Sequence, residues 1–423
     1  ALAAAMLAAK TQGAATGSQR DIRGVIVPAQ NAAEAAVVDG LDVIAVNFLS
    51  DAVGFLTDEL AIEPTVVDLE EAFAVAGRYD VDFSDVRGQE SAKRAVTVAA
   101  AGHHNIIMLG PPGSGKTMLA KRLPTILPPL TPEESLETTR VYSSRGLLEA
   151  GQSLMAVRPV RTPHHSASSA ALIGGGTIPQ AGEVSLAHHG VLFLDEFPEF
   201  ARATLEMIRQ PLEDGCVTIP RVHSTLKFPA RIMLVAAMNP CPCGYFTDPK
   251  RRCKCTPYQI ERYLSRISGP LIDRIDIHIE VPPVPWRQLR ATSDGTDSAS
   301  MREQVVRARQ TQRSRFAGSS SPEPVAGSRS VGEEANGAGG NPQSRSTTTN
   351  ATMTTRQVRR FCKLDGAGEV LLKQAMTELG LSARAHDKVL RISRTIADLE
   401  AAENIEAHHL AEAIQYRRLD RKL

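Results

Sequence analysis

Aromatic side chains are scarce here: 4% of 423 residues, with one Trp. That excludes a broad base-stacking platform for single-stranded nucleic acid. Neither charge sign dominates, since 48 Lys and Arg face 47 Asp and Glu for a net charge of +1. Any nucleic-acid surface is therefore local, such as a channel lining, not a global basic field. No apolar run reaches the roughly 18 residues a membrane span needs. Cysteine is sparse too, at six, too few for a secreted disulfide scaffold. Such thiols fit a reducing cytoplasm, where they are metal ligands or inert. Residues 1–9 are rich in Ala and Leu but follow no basic segment, so they do not read as a signal peptide. The chain opens on Ala inside a helical pattern, which points to a piece missing upstream.

What the chain does have is centred on Gly110-Pro111-Pro112-Gly113-Ser114-Gly115-Lys116-Thr117. This is a full G-x-x-x-x-G-K-[ST] match. An apolar run (105–109) leads in as a strand and residues 118–123 lead out as a helix, the context a phosphate-binding loop requires. The glycines let backbone close on phosphates. Loop amides and the helix N-terminus supply partial positive charge. Lys116 is placed to reach the β- and γ-phosphates of ATP and Thr117 to ligate Mg²⁺. Downstream, Val191-Leu192-Phe193-Leu194 runs into Asp195-Glu196. A buried strand ending in two carboxylates puts them where open α/β sheets hold their ligands. Asp195 is the expected Mg²⁺ partner, and Glu196 the group that polarises the attacking water.

The spaces between are less regular. Residues 83–90 open a helix through 91–101, and prolines mark 124–132 as a loop. Two His pairs, 164–165 and 188–189, suggest a metal, but neighbours on a strand point to opposite faces, which argues against it. Residues 216–228 read as a hairpin with Arg221 and His223 at its tip and Lys227 beyond, suited to a phosphate backbone. After a further buried strand (231–239) come Cys241-Pro-Cys243 and Cys253-Lys-Cys255. Two C-x-C pairs supply four thiolates to one tetrahedral Zn²⁺, although C-x₂-C is the commoner spacing; free or redox thiols are the alternative. Residues 301–316 form a charged helical pattern. Residues 317–353 are rich in Gly, Ser, Asn and Thr and read as a disordered insertion. The rest, 354–423, is helical.

Taken together, GPPGSGKTMLAKRLPTILPPL, ALIGGG, GVLFLDEFPEF, AAMNPCPCGY, SRISGPLIDRIDIHIEV and LSARAHDKVLRISRTIADL resemble the bacterial Mg-chelatase-like AAA+ ATPases of the YifB/ComM family. The resemblance covers residues 80–423, and residues 1–60 resemble that family's Lon-protease-like N-terminal domain, truncated. It implies an α/β AAA+ P-loop module with a C-terminal helical lid. The expected domains are a non-catalytic Lon-like unit (1–60), a linker (61–82), the ATPase core (83–286) with its Cys knuckle (241–255), a helix and insertion (287–353), and the lid (354–423).

By the same resemblance, backbone near Val86 and Gly88 contacts adenine, and Asn239 is the sensor-1 residue that orients water. Arg274 is the arginine finger acting on the neighbouring subunit, with Arg266 as alternative. Arg384 is the sensor-2 arginine, and residues 170–176 are a pore loop. The implied activity is a hexameric, ATP-driven DNA motor with DNA in its central pore, promoting branch migration during natural transformation. The alternatives are a chelatase-type motor that couples to a protein partner without DNA, and a regulatory or protease-linked ATPase.

Overall fold

The computed structural model describes residues 2, 5–6, 22–38, 40–68, 73, 79–148, 152–177, 179–220, 225–246, 248, 251–289, 295–317 and 349–417. Its centre is a five-stranded parallel sheet. The strands run in the order Ile277–Glu280, Ile106–Leu109, Met233–Met238, Val191–Leu194, Val160–Arg161. They read as nearly unbroken apolar runs because both faces of a parallel sheet are covered by helices.

Period-two alternation divides each strand between two cores. Ile106, Met108, Val191, Phe193, Met233, Val235 and Ile277 face one core. There they meet the helices Glu90–Gly102, Lys116–Ile126 and Ala383–Leu399. Ile107, Leu109, Leu192, Leu194, Leu234 and Met238 face the other core. It is closed by Arg202–Asp214, Pro257–Leu264 and Gly269–Ile272.

Three expectations need correction. The helix after the phosphate loop runs through Pro124 to Ile126, where a loop was expected from 124. A proline so near the end forfeits little of the helical ladder. The break comes at Leu127, whose extended ψ of 145° is what the following Pro128 imposes. In the N-terminal segment the sequence predicts a helix over 32–38 with Asn31 as its N-cap; the helix stops at Ala35, and Asn31 precedes it without a side-chain cap bond. Finally, the low-complexity reading of 317–353 reaches too far at its end. Asn350–Thr352 is a packed 3₁₀ turn. Buried Asn350 donates to Thr395 Oγ1 (3.1 Å) and Asp398 Oδ2 (2.8 Å). Residues 318–348 lie outside the described residues.

Gly24–Pro28 and Asp42–Val46 pair in parallel around the short helix Ala32–Ala35. This small unit touches the core through Glu34, which accepts from Ser143 Oγ at 2.6 Å. At the other end of the chain, Ser298–Ala317 packs against Glu90–Gly102 and Lys116–Ile126. Helices Thr355–Phe361, Gly366–Leu379, Ala383–Leu399 and Ala407–Gln415 follow. Among the described residues, no helix is long and apolar enough to cross a membrane.

Candidate nucleotide-hydrolysis site

Three neighbouring strands end at one edge of the sheet, and each delivers one part of the site. Ile106–Leu109 delivers the phosphate loop, Val191–Leu194 delivers Asp195 and Glu196, and Met233–Met238 delivers Asn239. The carboxyl edge of an open parallel sheet is where such chemistry gathers.

Glycine is required at two points of the loop. A Cβ on Gly110 would lie 2.2 Å from the Val281 carbonyl oxygen, and Gly115 caps the helix at φ +93°. Buried Lys116 donates from Nζ to the Gly110 and Pro111 carbonyls at 2.7 and 3.0 Å, and to Asn239 Oδ1 at 3.2 Å. Burial pushes its ammonium down to about 8, against the pull of Asp195. The Thr117 hydroxyl donates to Asp195 Oδ2 at 2.7 Å. A hydroxyl and a carboxylate in contact, one turn past a phosphate cradle, are a donor set that fits Mg²⁺. Buried Ser114 Oγ has no hydrogen-bond partner, which leaves a polar atom in the loop for a phosphate oxygen. Gly113, at φ +75°, has open space where a side chain would stand.

Glu196 adopts the left-handed conformation, φ +50° and ψ +44°, a sparsely populated region for a side-chain-bearing residue. Its Oε2 lies 3.1 Å from His165 Nδ1. The motif reading did not anticipate this partner, and neither did it anticipate Gln89. That residue, at φ +56°, donates from Nε2 to the Pro282 carbonyl at 3.2 Å and to the Ser114 carbonyl. It ties the segment holding Val86 and Gly88 to the phosphate loop. Val86 itself is buried, and Gly88 (φ +64°) backs onto the Gln288 side chain.

The arginines are placed differently. Arg274 donates to the Pro270 carbonyl at 2.5 Å and pairs with Glu213, leaving its side chain 12% exposed. Arg266, 49% exposed, binds Glu199 at 2.6 Å and the Pro198 carbonyl, on the turn after its own Glu196. Arg384 is exposed on the first turn of Ala383–Leu399, capped by Ser382. It is not brought to the phosphate loop.

The His188–His189 pair departs from expectation. His188 and His189 converge on Glu137 Oε2, at 3.2 and 2.8 Å, because they lie in a turn with His189 at φ +56° and not on a strand. The Gly-rich segment forms the short helix Ser169–Ile173 and a small hairpin, Gly174–Gly175 with Gln180–Ala181. The longer hairpin pairs Cys216–Pro220 with Thr225–Pro229 and leaves Lys227 exposed. Arg221 and His223 lie outside the described residues. Cys241, Cys243, Cys253 and Cys255 do come together, with all four sulfurs within 4.8 Å of one another.

Comparison with known proteins decides the family. Residues 82–289 match the family described as magnesium chelatase, subunit ChlI, and residues 295–417 its C-terminal part. Competence protein ComM of Haemophilus influenzae is 43% identical over 409 residues, covering 96% of this chain and 74% of that protein. The chain belongs to the YifB/ComM family. Within this family, the YifB protein of Salmonella typhimurium is 40% identical, covering 97% of this chain and 74% of its own length. The magnesium-chelatase 67 kDa subunit of Chlorobaculum parvum is more distant, 28% identical over 38% of this chain and 23% of that subunit. Family membership makes the core a Mg-chelatase-like AAA+ module with a helical C-terminal domain, and it fits an ATP-driven motor.

Proposed function

We propose that this YifB/ComM member is an ATP-hydrolysing motor acting on DNA. In this reading it is a cytoplasmic hexamer that promotes branch migration during natural transformation. The observation that carries the ATPase is the meeting of Lys116, Thr117, Asp195, Glu196 and Asn239 at one sheet edge. The DNA substrate rests on the family resemblance and on the similarity to competence protein ComM.

Lys116 exchanges its carbonyl partners for the β- and γ-phosphates, and the loop amides orient them. Val86 and Gly88 lie on the adenine side. Thr117 and Asp195 would hold Mg²⁺, which would supply positive charge to the phosphates. Glu196 leaves His165 to polarise water, and Asn239 orients it. Arg274 serves the neighbouring subunit. Arg266 sits on its own subunit's Glu199 turn, so it is the weaker candidate for action in trans. Arg384 reaches the γ-phosphate when the lid closes. Cys241, Cys243, Cys253 and Cys255 would hold a structural Zn²⁺. The segment 1–60 is the remainder of a Lon-like accessory unit that we read as non-catalytic.

The test is the ATPase rate of the whole protein, alone and with single-stranded, duplex and four-way-junction DNA, with Glu196→Gln as control. Stimulation by DNA that vanishes in the control, with junction unwinding in the same mixtures, is the expected result. Hydrolysis indifferent to every DNA overturns the DNA reading. It would favour a chelatase-type motor with a protein partner, which the magnesium-chelatase family description already suggests.

A further inference from the structure

The four cysteines lie directly behind the hydrolysis site. Their Sγ atoms are 3.4 Å (Cys241 to Cys243), 3.7 Å (Cys241 to Cys253) and 3.6 Å (Cys243 to Cys253) apart. A tetrahedron of thiolates at the Zn–S distance of about 2.3 Å has edges of about 3.8 Å. All four are free thiols. The Cys255 amide donates to Cys253 Sγ at 3.4 Å. Arg251, Arg252 and Lys254, all exposed, flank Cys253 and Cys255 in the sequence. They offset the net charge of about −2 that four thiolates and a divalent ion carry.

The cluster touches the catalytic machinery on two sides. Cys241, fully buried, is two residues past Asn239, the acceptor for Lys116. Gly244, at φ +85°, closes a turn onto the Cys241 carbonyl at 2.9 Å. A Cβ there would lie 2.5 Å from Pro112 Cδ, so the knuckle's backbone rests on the phosphate loop. On the far side, Cys255 leads into the Thr256-capped helix Pro257–Leu264. Buried Tyr263 of that helix is hydrogen-bonded to the Asn239 backbone. A long polar loop with little core of its own needs such a cross-link to stay ordered.

We propose that Cys241, Cys243, Cys253 and Cys255 hold one Zn²⁺ as a brace that fixes Asn239 and Pro112 at the nucleotide, so that hydrolysis requires the metal or its equivalent and stops when the thiols are oxidised. Oxidation to disulfides would release the ion and two electrons per bond to a thiol oxidant, and a dithiol reductant would return them. The metal site does not depend on the motor assignment, whereas its effect on turnover rests on that reading.

The experiment separates the two. Metal content of the purified whole protein is measured by elemental mass spectrometry, with Cys216→Ser and Cys362→Ser as controls that keep it. About one zinc per chain is expected, lost in the Cys243→Ser/Cys255→Ser double variant. Cobalt added to stripped wild-type protein should give the visible bands of a tetrahedral thiolate site, whether or not the protein hydrolyses ATP. The brace is then read on wild type alone. An organomercurial strips the zinc, and a thiol reductant with zinc restores it.

The rate per site should fall about tenfold or more on stripping and return on restoration. Affinity for a fluorescent ADP should change only a few-fold, and amide exchange should rise across 239–244. No zinc and no cobalt spectrum overturns the site. Zinc present but turnover unchanged by its removal overturns the brace. A wild type that binds zinc yet never hydrolyses ATP overturns the brace and the motor reading together, and leaves the zinc standing.

Discussion

Lys116 is a cation held in a largely buried place, anchored by two backbone carbonyls and Asn239. Burial is the first cause of its depressed value of about 8, and Asp195 opposes it. The proton is therefore lost as pH rises through about 8, unless a phosphate arrives to hold it. Binding of a nucleoside diphosphate is then coupled to proton uptake above that pH. Affinity for a fluorescent ADP should weaken about tenfold between pH 7 and pH 9, the drop expected when a group of pKa 8 must be protonated to bind. A profile flat across that range would show that Lys116 stays charged without ligand. At this scale the sequence was informative where a residue type and its spacing define the chemistry, as with Lys116, Thr117 and Asp195. It was silent on Gln89, His165 and the convergence of His188 with His189. Gln89 and His189 reach their partners from left-handed backbone, and His165 meets Glu196 across more than one loop. Neither kind of placement leaves a periodic trace.

Elements were legible to the degree that one force decided them. The strands leading to Gly110, Asp195 and Asn239 are short, apolar and bounded, and they form where they read. Their order in the sheet was not legible, since register between distant strands is fixed by packing on both faces. Helix Ala383–Leu399 shows the same dependence on tertiary partners. Its Asp398 side chain is fully buried and receives Arg315 (3.0 Å) and Asn350 (2.8 Å) from two other segments and Arg394 (3.0 Å) from its own helix. Arg394 is itself 3% exposed. Removing the carboxylate would leave buried guanidinium groups uncompensated, which costs about 3–5 kcal/mol. Asp398→Asn should lower the melting temperature and speed amide exchange first in the helices Ser298–Ala317 and Ala383–Leu399. An unchanged melting curve with unchanged exchange would mean that water or another acid replaces Asp398.

At the scale of the molecule, phosphoryl transfer draws positive charge from outside the phosphate loop. Arg274 and Arg266 are the two candidates, and their surroundings differ. Arg266 is bound to the turn following its own Glu196, which places it beside the site of the same chain. Arg274 lies at the end of Gly269–Ile272 with Glu213, itself 52% exposed, as its ion-pair partner. That partner is open to solvent, and in the proposed ring Arg274 would exchange it for a phosphate of the neighbouring site. A ring in which each site borrows one residue from its neighbour has heterologous interfaces. Two inactive variants can then complement each other. Lys116→Ala lacks a working phosphate loop but keeps its donated arginine, whereas Arg274→Ala keeps the loop and lacks the donor. Mixed in equal amounts and allowed to exchange subunits, they should recover up to roughly a quarter of the wild-type ATPase rate, the share of boundaries that pair a good loop with a good donor. Arg266→Ala, where it is inactive alone, should recover nothing in the same assay, because a group acting within its own chain cannot be supplied by a neighbour. Recovery with Arg266→Ala but not with Arg274→Ala would reverse the assignment. Recovery with neither would mean that the missing charge comes from the same chain, and the site would then need no ring to hydrolyse ATP.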